Sequence, residues 1–554
     1  ENTASGFYAL RNSTTASKNT AYGRSAMHSN TTGGENTATG YRALYTNTTG
    51  TYNTAFGRDA LYSNTTAGNN TAYGATSMFL NTTGTANTAL GQSALYSNTT
   101  GVNNTASGFQ TMFLTTTGTY NTATGYHALY HNTTGYYHTA VGSQALNQNT
   151  TGTWNTSVGF QSMYTNTTGT LNAAVGGQAM YYNTTGAHNT ASGYRALFSN
   201  TTASYNTAIG YGALYTNTTG AYNTAVGKNA SRNNVTSSYN AAFGNFALCV
   251  STAGPNTGLG YGALQKNTTG THNTASGYQA LVNNTTGTQN TATGSDALQV
   301  NTTGSFNTAF GRSALCGNTT GVCNDASGFN TMRHNTTGHS NAAHGMEALY
   351  ANTTGCNNTA VGMRSMSSNT TGPANVAVGR HALYTNTTGS SNTAVGYKAL
   401  CANTTGGCNT AIGGEAGMSM TGQHNTAVGW YSMRAGAGGT YNTAIGKQSL
   451  YANTGSHNNA HGYLSLYNNS SAGNNTAYGS YSSYLNTTGS GNVAVGLSAL
   501  RHTTTAHYNT AVGYVALCKN TTGAHNVGIG LHALSCNTTA GCSTAVGGYA
   551  LCVN

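Results

Sequence analysis

Charged side chains are scarce in this sequence. They make up 5% of its 554 residues, against about 25% in ordinary globular proteins. The acidic residues are Glu1, Glu35, Asp59, Asp296, Asp325, Glu347 and Glu415. Their scatter provides no carboxylate pair for glycoside hydrolysis and no regular acidic position for calcium-binding repeats. We therefore do not expect an enzyme.

Basic clusters, long apolar runs and nucleotide-binding motifs are also lacking. The 18 Lys and Arg residues give a net charge of +11, but they are dispersed and form no stripe that would follow a phosphate backbone. No apolar run is long enough to cross a membrane, and no Gly-rich segment leads into the Lys-Ser/Thr of a phosphate-binding loop. Histidines such as His138, His339 and His461 are interpreted as variable surface residues. We expect no cofactor, no metal, no nucleic-acid partner and no membrane insertion.

What the sequence does contain is a tandem repeat of 17 residues. Its consensus is N-T-A-x-G-x-x-A-L-x-x-N-T-T-G-x-x, whose positions we number as columns 1 to 17. The repeat begins at Asn2 and recurs about 33 times, absorbing three single-residue deletions. Such periodicity is typical of solenoids, in which a unit buries its apolar face only against its neighbours. Residues 1–554 are read as one continuous array, with a cysteine-free, Tyr-rich part (1–248) and a cysteine-containing part (249–554).

Three columns predict the interior of each unit. Column 5 is Gly in every repeat, which indicates a positive φ or a close backbone approach. Column 3 is almost always Ala, as expected of an interior without room for a larger side chain. Column 9 is nearly always Leu or Met, and we predict a continuous buried ladder that includes Leu44, Leu61, Met78 and Leu95. The N-T-T-G of columns 12 to 15 consists of turn formers, with the Gly expected at positive φ.

These patterns predict an all-β fold, a β-solenoid or β-roll of about 33 stacked rungs. Asn, Thr and Gly are poor helix formers, and we expect two short strands per rung, around T-A-x and around A-L-x. At about 4.8 Å per rung, about 33 rungs give a rod on the order of 160 Å long. The thin core is compatible with a single-chain solenoid or with one third of a trimeric roll that has column 3 or 9 on its axis.

The ten cysteines all lie at or after Cys249 and favour particular columns. Three pairs flank the N-T-T turn: Cys316 with Cys323, Cys401 with Cys408, and Cys536 with Cys542. If that turn doubles back, each pair falls within disulfide reach. We predict three disulfides and hence an oxidising compartment, with packed free thiols as the alternative.

The N-T-T motif is also an acceptor pattern for N-glycosylation. If its Asn lies at an exposed loop tip, the rod would carry a sugar at each rung; alternatively, Asn and Thr are simply turn formers. The candidate acceptors are Asn30, Asn47, Asn64, Asn81, Asn98, Asn132, Asn149, Asn166, Asn183, Asn200 and Asn217.

Column 10 is frequently aromatic. Its first members are Tyr45, Tyr62, Phe79, Tyr96, Phe113 and Tyr130. Stacked rungs would align these rings in a ladder. Such a ladder either stabilises the stack through neighbouring-strand contacts or provides an assembly surface.

The N-T-A-V-G and N-T-A-I-G cores at Asn223–Gly227 and Asn442–Gly446 resemble the shorter Asn/Ser-x-Ala-x-Gly repeats in the heads of trimeric autotransporter adhesins. The full unit, as in Asn36–Tyr52, looks like repeat regions of bacterial surface proteins and phage tail fibres. The resemblance covers the whole chain and implies a β-roll or β-solenoid stalk in a surface fibre, often trimeric.

These observations favour an extracellular or cell-surface structural fibre whose partners are further copies of itself, stacked end to end or side by side. The alternative is the shaft of an adhesin or of a phage-type receptor-binding fibre, with cell-surface glycans as partners. Ice binding is a minor alternative, suggested by the regular Thr residues of columns 2, 13 and 14; against it, these Thr flank Asn-rich turns and a bulky Tyr column.

Overall fold

The computed structural model describes residues 1–552 and is all-β. Each 17-residue repeat forms one turn of a parallel β-solenoid and contributes one three-residue strand, at columns 2 to 4. The fold class predicted from the sequence is confirmed. The chain forms two compact units, Glu1–Asn273 and Thr274–Asn554. The first cysteine, Cys249, lies within the first unit, so the start of the cysteine-containing part does not coincide with this division.

In the first unit the strands are β1 (Thr3–Ser5), β2 (Thr20–Tyr22), β3 (Thr37–Thr39), β4 (Thr54–Phe56), β5 (Thr71–Tyr73), β6 (Thr88–Leu90), β7 (Thr105–Ser107), β8 (Thr122–Thr124), β9 (Thr139–Val141), β10 (Thr156–Val158), β11 (Ala173–Val175), β12 (Thr190–Ser192), β13 (Thr207–Ile209), β14 (Thr224–Val226), β15 (Ala241–Phe243) and β16 (Thr257–Leu259).

In the second unit they are β17 (Thr274–Ser276), β18 (Thr291–Thr293), β19 (Thr308–Phe310), β20 (Asp325–Ser327), β21 (Ala342–His344), β22 (Thr359–Val361), β23 (Val376–Val378), β24 (Thr393–Val395), β25 (Thr410–Ile412), β26 (Thr426–Val428), β27 (Thr443–Ile445), β28 (Asn459–His461), β29 (Thr476–Tyr478), β30 (Val493–Val495), β31 (Thr510–Val512), β32 (Val527–Ile529) and β33 (Thr544–Val546).

Within each unit, consecutive strands pair in parallel and in register, column upon column. Between β3 and β4, for example, Ala38 lies opposite Ala55. The rest of the rung consists of turns that also bond to the neighbouring rung: the backbone N–H of Leu44 donates to the carbonyl of Ala60 at 2.9 Å. The rung backbone is therefore tied to its neighbours outside the sheet as well as within it.

The predicted second strand, around A-L-x, is not formed. Columns 7, 9 and 17 adopt left-handed backbone, as at Arg42 (φ 52°), Leu44 (φ 54°) and Tyr52 (φ 59°). Non-glycine residues rarely adopt this conformation, and here the inter-rung hydrogen bonds hold them in it. The positive φ at columns 7 and 9 bends the chain where a second strand would have run straight.

Glycine fills column 5 and predominates in column 15 for different reasons. At column 5 the prediction is confirmed: Gly40 has φ 134°, and a Cβ there would lie 2.6 Å from the carbonyl oxygen of Gly57. At column 15 the expectation of positive φ is wrong. Gly50 has no left-handed backbone; a Cβ there would lie 2.2 Å from the Ala67 oxygen, and the column accepts only small residues, including Ala67, Ala203 and Ser237.

The core lies between the strand and the turn at columns 8 and 9. Leu44, Leu61, Met78 and Leu95 are fully buried, as predicted, and the Ala residues of columns 3 and 8 surround them. A single chain thus encloses its own apolar interior. The alternative that column 3 or column 9 faces an axis between chains is wrong, since both are already inaccessible within one chain.

Candidate functional surfaces

The Asn of the N-T-T motif is an interior residue. Asn47 is 0% exposed; its side-chain Nδ2 donates to the Gly50 carbonyl of its own turn at 3.0 Å and to Oδ1 of Asn30 in the preceding rung at 2.8 Å. The same arrangement recurs from rung to rung and forms a column 12 amide ladder. The N-T-T-G turn is therefore closed from the inside by its own Asn.

This ladder corrects the expectation that the sequons are exposed loop tips. All the candidate acceptors are fully buried: Asn30, Asn47, Asn64, Asn81, Asn98, Asn132, Asn149, Asn166, Asn183, Asn200 and Asn217. A glycan would replace one of the two hydrogens through which Nδ2 donates, and it would need space that the interior does not have. The folded rung has no room for a sugar at these positions.

The column 12 ladder is interrupted where another residue replaces Asn. The replacements are Ser13, Thr115, Ser251, Met420, Gly436 and Thr503. In the rungs before Thr115, Met420 and Thr503, the amide oxygen is buried without a hydrogen-bond partner: these are Oδ1 of Asn98, Asn403 and Asn486. The hydroxyls of Thr115 and Thr503 are unpartnered too. These three interruptions therefore leave buried polar groups unsatisfied, which is energetically costly, whereas at Ser251 the preceding Asn234 Oδ1 accepts the Ser237 N–H instead.

A second amide ladder runs along column 1. Asn36 donates from Nδ2 to the Gly50 carbonyl at 2.9 Å, and its Oδ1 accepts the backbone N–H of Asn53 at 2.9 Å. Both ladders thus converge on the column 15 carbonyl, which receives a bond from each. The interior is polar on this side of the rung and apolar on the other.

His138 replaces Asn in column 1 and reproduces its bonds. Its Nε2 lies 2.7 Å from the Gly152 carbonyl, and its Nδ1 accepts the Asn155 N–H at 3.3 Å, which assigns the proton to Nε2. Burial lowers the pKa of His138 to about 4. The interpretation of His138 as a variable surface residue is wrong, since the side chain is 1% exposed.

All ten cysteines are free thiols, so the predicted disulfides are not formed. This applies to Cys316 and Cys323, Cys401 and Cys408, and Cys536 and Cys542. Burial raises the pKa of the thiols of Cys249, Cys316, Cys401 and Cys518, which keeps them protonated and weakly nucleophilic.

The column 10 aromatic ladder exists as stacked rings. The centroids of Tyr45, Tyr62, Phe79, Tyr96, Phe113 and Tyr130 follow one another at 5.2, 5.0, 5.2, 4.9 and 5.2 Å. The rings are half-buried and nearly parallel. Because each ring covers the face of the next, the ladder presents ring edges to solvent and offers no open face on which a sugar would stack.

A second aromatic ladder, in column 17, was not identified from the sequence. Tyr205, Tyr222 and Tyr239 stack at 4.9 and 5.3 Å and are 50%, 50% and 63% exposed. Tyr137 stacks on Trp154 at 4.1 Å in the same column. The spacing of 17 residues between these rings was the available signal. This ladder is more exposed than that of column 10.

The outward side of each strand forms a third surface. Column 3 points into the core, whereas columns 2 and 4 point to solvent, so the strands present one row of mostly Thr and one of mostly Val, Ile, Ser or Thr. By contrast, the column 13 Thr residues use their hydroxyls inside the structure: Oγ1 of Thr48 donates to the Thr65 carbonyl at 3.1 Å. The predicted Thr rows are therefore not equivalent.

Within residues 1–552, no three or more His, Cys, Asp or Glu side chains are grouped so as to hold a metal ion. No helix in this part of the chain has the length and apolar character that crossing a membrane requires. Comparison with models of known protein families and with curated proteins finds no match.

Proposed function

We propose that this chain is a structural element of an extracellular or cell-surface fibre. The observation that carries the proposal is the rung-to-rung continuity of the interior. The Leu/Met column, both Asn ladders and the backbone bonds outside the sheet repeat in register from one rung to the next. In such an array each repeat contacts only its neighbours, so axial length increases with repeat number.

Further copies of the chain are the partners that we propose. The outward columns tolerate many residue types while the inner ones do not, which suits a scaffold whose surface varies without loss of the rod. The exposed column 17 ladder of Tyr205, Tyr222 and Tyr239 is a contiguous apolar surface of the kind that marks contact sites. The resemblance to adhesin heads and phage fibres supports an extracellular location.

Electron microscopy and diffraction from aligned samples test the structural role. We expect rods or filaments with a reflection at about 4.8 Å along the long axis, since rungs stack at the inter-strand spacing. Globular particles without an axial reflection would refute the proposal. Discrete rods that retain a cell-surface glycan on a glycan array would instead favour an adhesin shaft.

Sedimentation of paired variants tests self-association. Tyr205→Ser with Tyr222→Ser removes two rings of the exposed ladder, and we expect it to weaken side-by-side association. Tyr164→Ser with Tyr181→Ser is the matched control, because these rings stack at 5.2 Å in the half-buried column 10 ladder. Equal association of all three proteins would exclude column 17 as the contact surface.

A further inference from the structure

One stretch of the strand surface in the second unit is chemically uniform. Its members are the column 2 and column 4 residues of β22 to β27: Thr359, Val361, Val376, Val378, Thr393, Val395, Thr410, Ile412, Thr426, Val428, Thr443 and Ile445. All are β-branched. We name this surface the Thr/Val face. It ends at both sides at a histidine, His344 in β21 and His461 in β28.

The Thr/Val face is a two-dimensional lattice. The strands pair in register, so column 2 lies on column 2 and column 4 on column 4 throughout. Neighbouring rungs are about 4.8 Å apart, and alternate residues of a strand are about 6.7 Å apart. Side chains branched at Cβ are restricted at χ1, which fixes the positions of their methyl groups and hydroxyls.

The chemistry of the face is neutral and open. It contains no charged side chain and no aromatic ring. Val361, Val376, Val378, Ile412 and Ile445 are 36–42% exposed. Among the described residues, none donates to or accepts from the column 2 hydroxyls of this face, in contrast to the column 13 hydroxyls, which are bonded to the next rung.

The size of the face argues against a second copy of the chain as its partner. Six rungs of three-residue strands cover roughly 29 by 10 Å, so a face-to-face pair would bury about 600 Å² in total. Stable protein interfaces bury about 1,200–2,000 Å². A sugar partner is not favoured either, because no ring face is present for stacking.

We propose that the Thr/Val face binds the surface of an ice crystal. A rigid, uncharged array of methyl groups and hydroxyls, repeating at two fixed spacings close to the oxygen repeats on the prism planes of ice, orders water in an ice-like arrangement. Adsorption then needs neither charge nor a pocket. Of the Thr columns 2, 13 and 14 that suggested ice binding, the proposed surface keeps column 2 and adds column 4, and it leaves out the N-T-T turns, where the column 13 hydroxyls are bonded to the next rung.

The experiment measures thermal hysteresis and the binding of the fluorescently labelled full chain to a single ice crystal. The test variant is Val395→Tyr, which places a ring in the centre of the lattice. The fold accepts it, since Tyr22, Tyr73 and Tyr478 occupy column 4 in other rungs. The matched control is Ser367→Tyr in column 10, where the adjacent rungs already carry Tyr350 and Tyr384.

We expect hysteresis and ice-plane labelling in the unsubstituted chain, their loss in Val395→Tyr and their retention in Ser367→Tyr. Circular dichroism checks that both variants keep the solenoid. An unsubstituted chain without hysteresis overturns the proposal, and so does equal loss in both variants. Dimers that Val395→Tyr dissociates, in a chain without hysteresis, would overturn it in favour of a second copy.

Discussion

Replacing Thr115 by Asn should stabilise the first unit. Thr115 interrupts the column 12 ladder and leaves its own hydroxyl and Oδ1 of Asn98 buried without partners. In the next rung, Asn132 donates only to the Gly135 carbonyl, whereas an intact ladder member such as Asn47 also donates to the preceding amide. An amide at position 115 supplies every missing partner.

The size of the effect follows from the groups that gain partners. A buried polar group without a hydrogen bond costs about 1–3 kcal/mol, and Thr115→Asn relieves the unsatisfied Asn98 oxygen as well as removing the unsatisfied hydroxyl. Ordering the new side chain offsets part of the gain. We expect a net stabilisation of about 2 kcal/mol, equivalent to roughly 30-fold slower hydrogen exchange.

Native-state hydrogen exchange is the assay, because repeat arrays open locally and a single melting temperature would average over the rungs. The amides of the rungs that contain Asn98, Thr115 and Asn132 should gain protection. Thr115→Val is the control: it removes the unsatisfied hydroxyl but leaves the Asn98 oxygen without a partner, and should gain less than half as much. If Thr115→Asn protects no better than Thr115→Val, the ladder does not contribute as argued.

Four further predictions concern other features of the rung. Burial lowers the pKa of His138 to about 4 from an unfolded value near 6.5. The free energy of unfolding should therefore be unaffected by the titration of this residue above about pH 6.5 and should fall by up to about 3 kcal/mol as the pH decreases towards 4. A denaturation series over this range should show the loss, and His138→Asn should abolish it. Gly210→Ala, at φ 128° and with a Cβ 2.6 Å from the Gly227 oxygen, should cost at least about 3 kcal/mol in chemical denaturation; Gly438→Ala, at φ 78° with nothing within 4 Å, should cost about 1 kcal/mol. Thiol titration of the denatured chain without reductant should count ten groups, and a lower count would indicate disulfides. After secretion from glycosylating cells, the peptide that contains Asn183 should keep its unmodified mass on mass spectrometry, since a sugar there is incompatible with its buried bonds.

The fold was predictable because its signals are steric and recur in nearly every repeat. Gly at column 5 and Leu or Met at column 9 indicated a close backbone approach and a buried ladder, and both lie where they were expected. The solenoid follows from these positions and from the repeat length. Nothing comparable marks the left-handed backbone at Leu44, because Leu has no preference for it; the inter-rung bonds that hold it there arise only after stacking.

The polar interior was not predicted, because Asn has two roles that look alike in a sequence. Asn favours turns through local hydrogen bonds, and this role alone accounts for the Asn of the N-T-T motif when only the sequence is considered. Asn47 is instead bonded along the stack, to a residue 17 positions away. The distinguishing signal was the regular recurrence of a single polar residue in columns 1 and 12, where a surface turn would have varied. The buried position of His138 was missed for the same reason, because a single histidine in the sequence gives no sign that it replaces an Asn of the column 1 ladder.

The interruptions of the column 12 ladder also bear on how the chain responds to force. Tension applied at the two ends of a solenoid peels rungs apart, and resistance at each rung depends on the bonds to its neighbour. At Thr115, Met420 and Thr503 the column 12 side-chain bond to the preceding rung is missing, and the Asn of that rung is left with an unpartnered oxygen. Extension should therefore begin at these rungs, so that the stretched chain lengthens in separate steps and dissipates work before the intact segments, such as Asn132–Asn234, unravel.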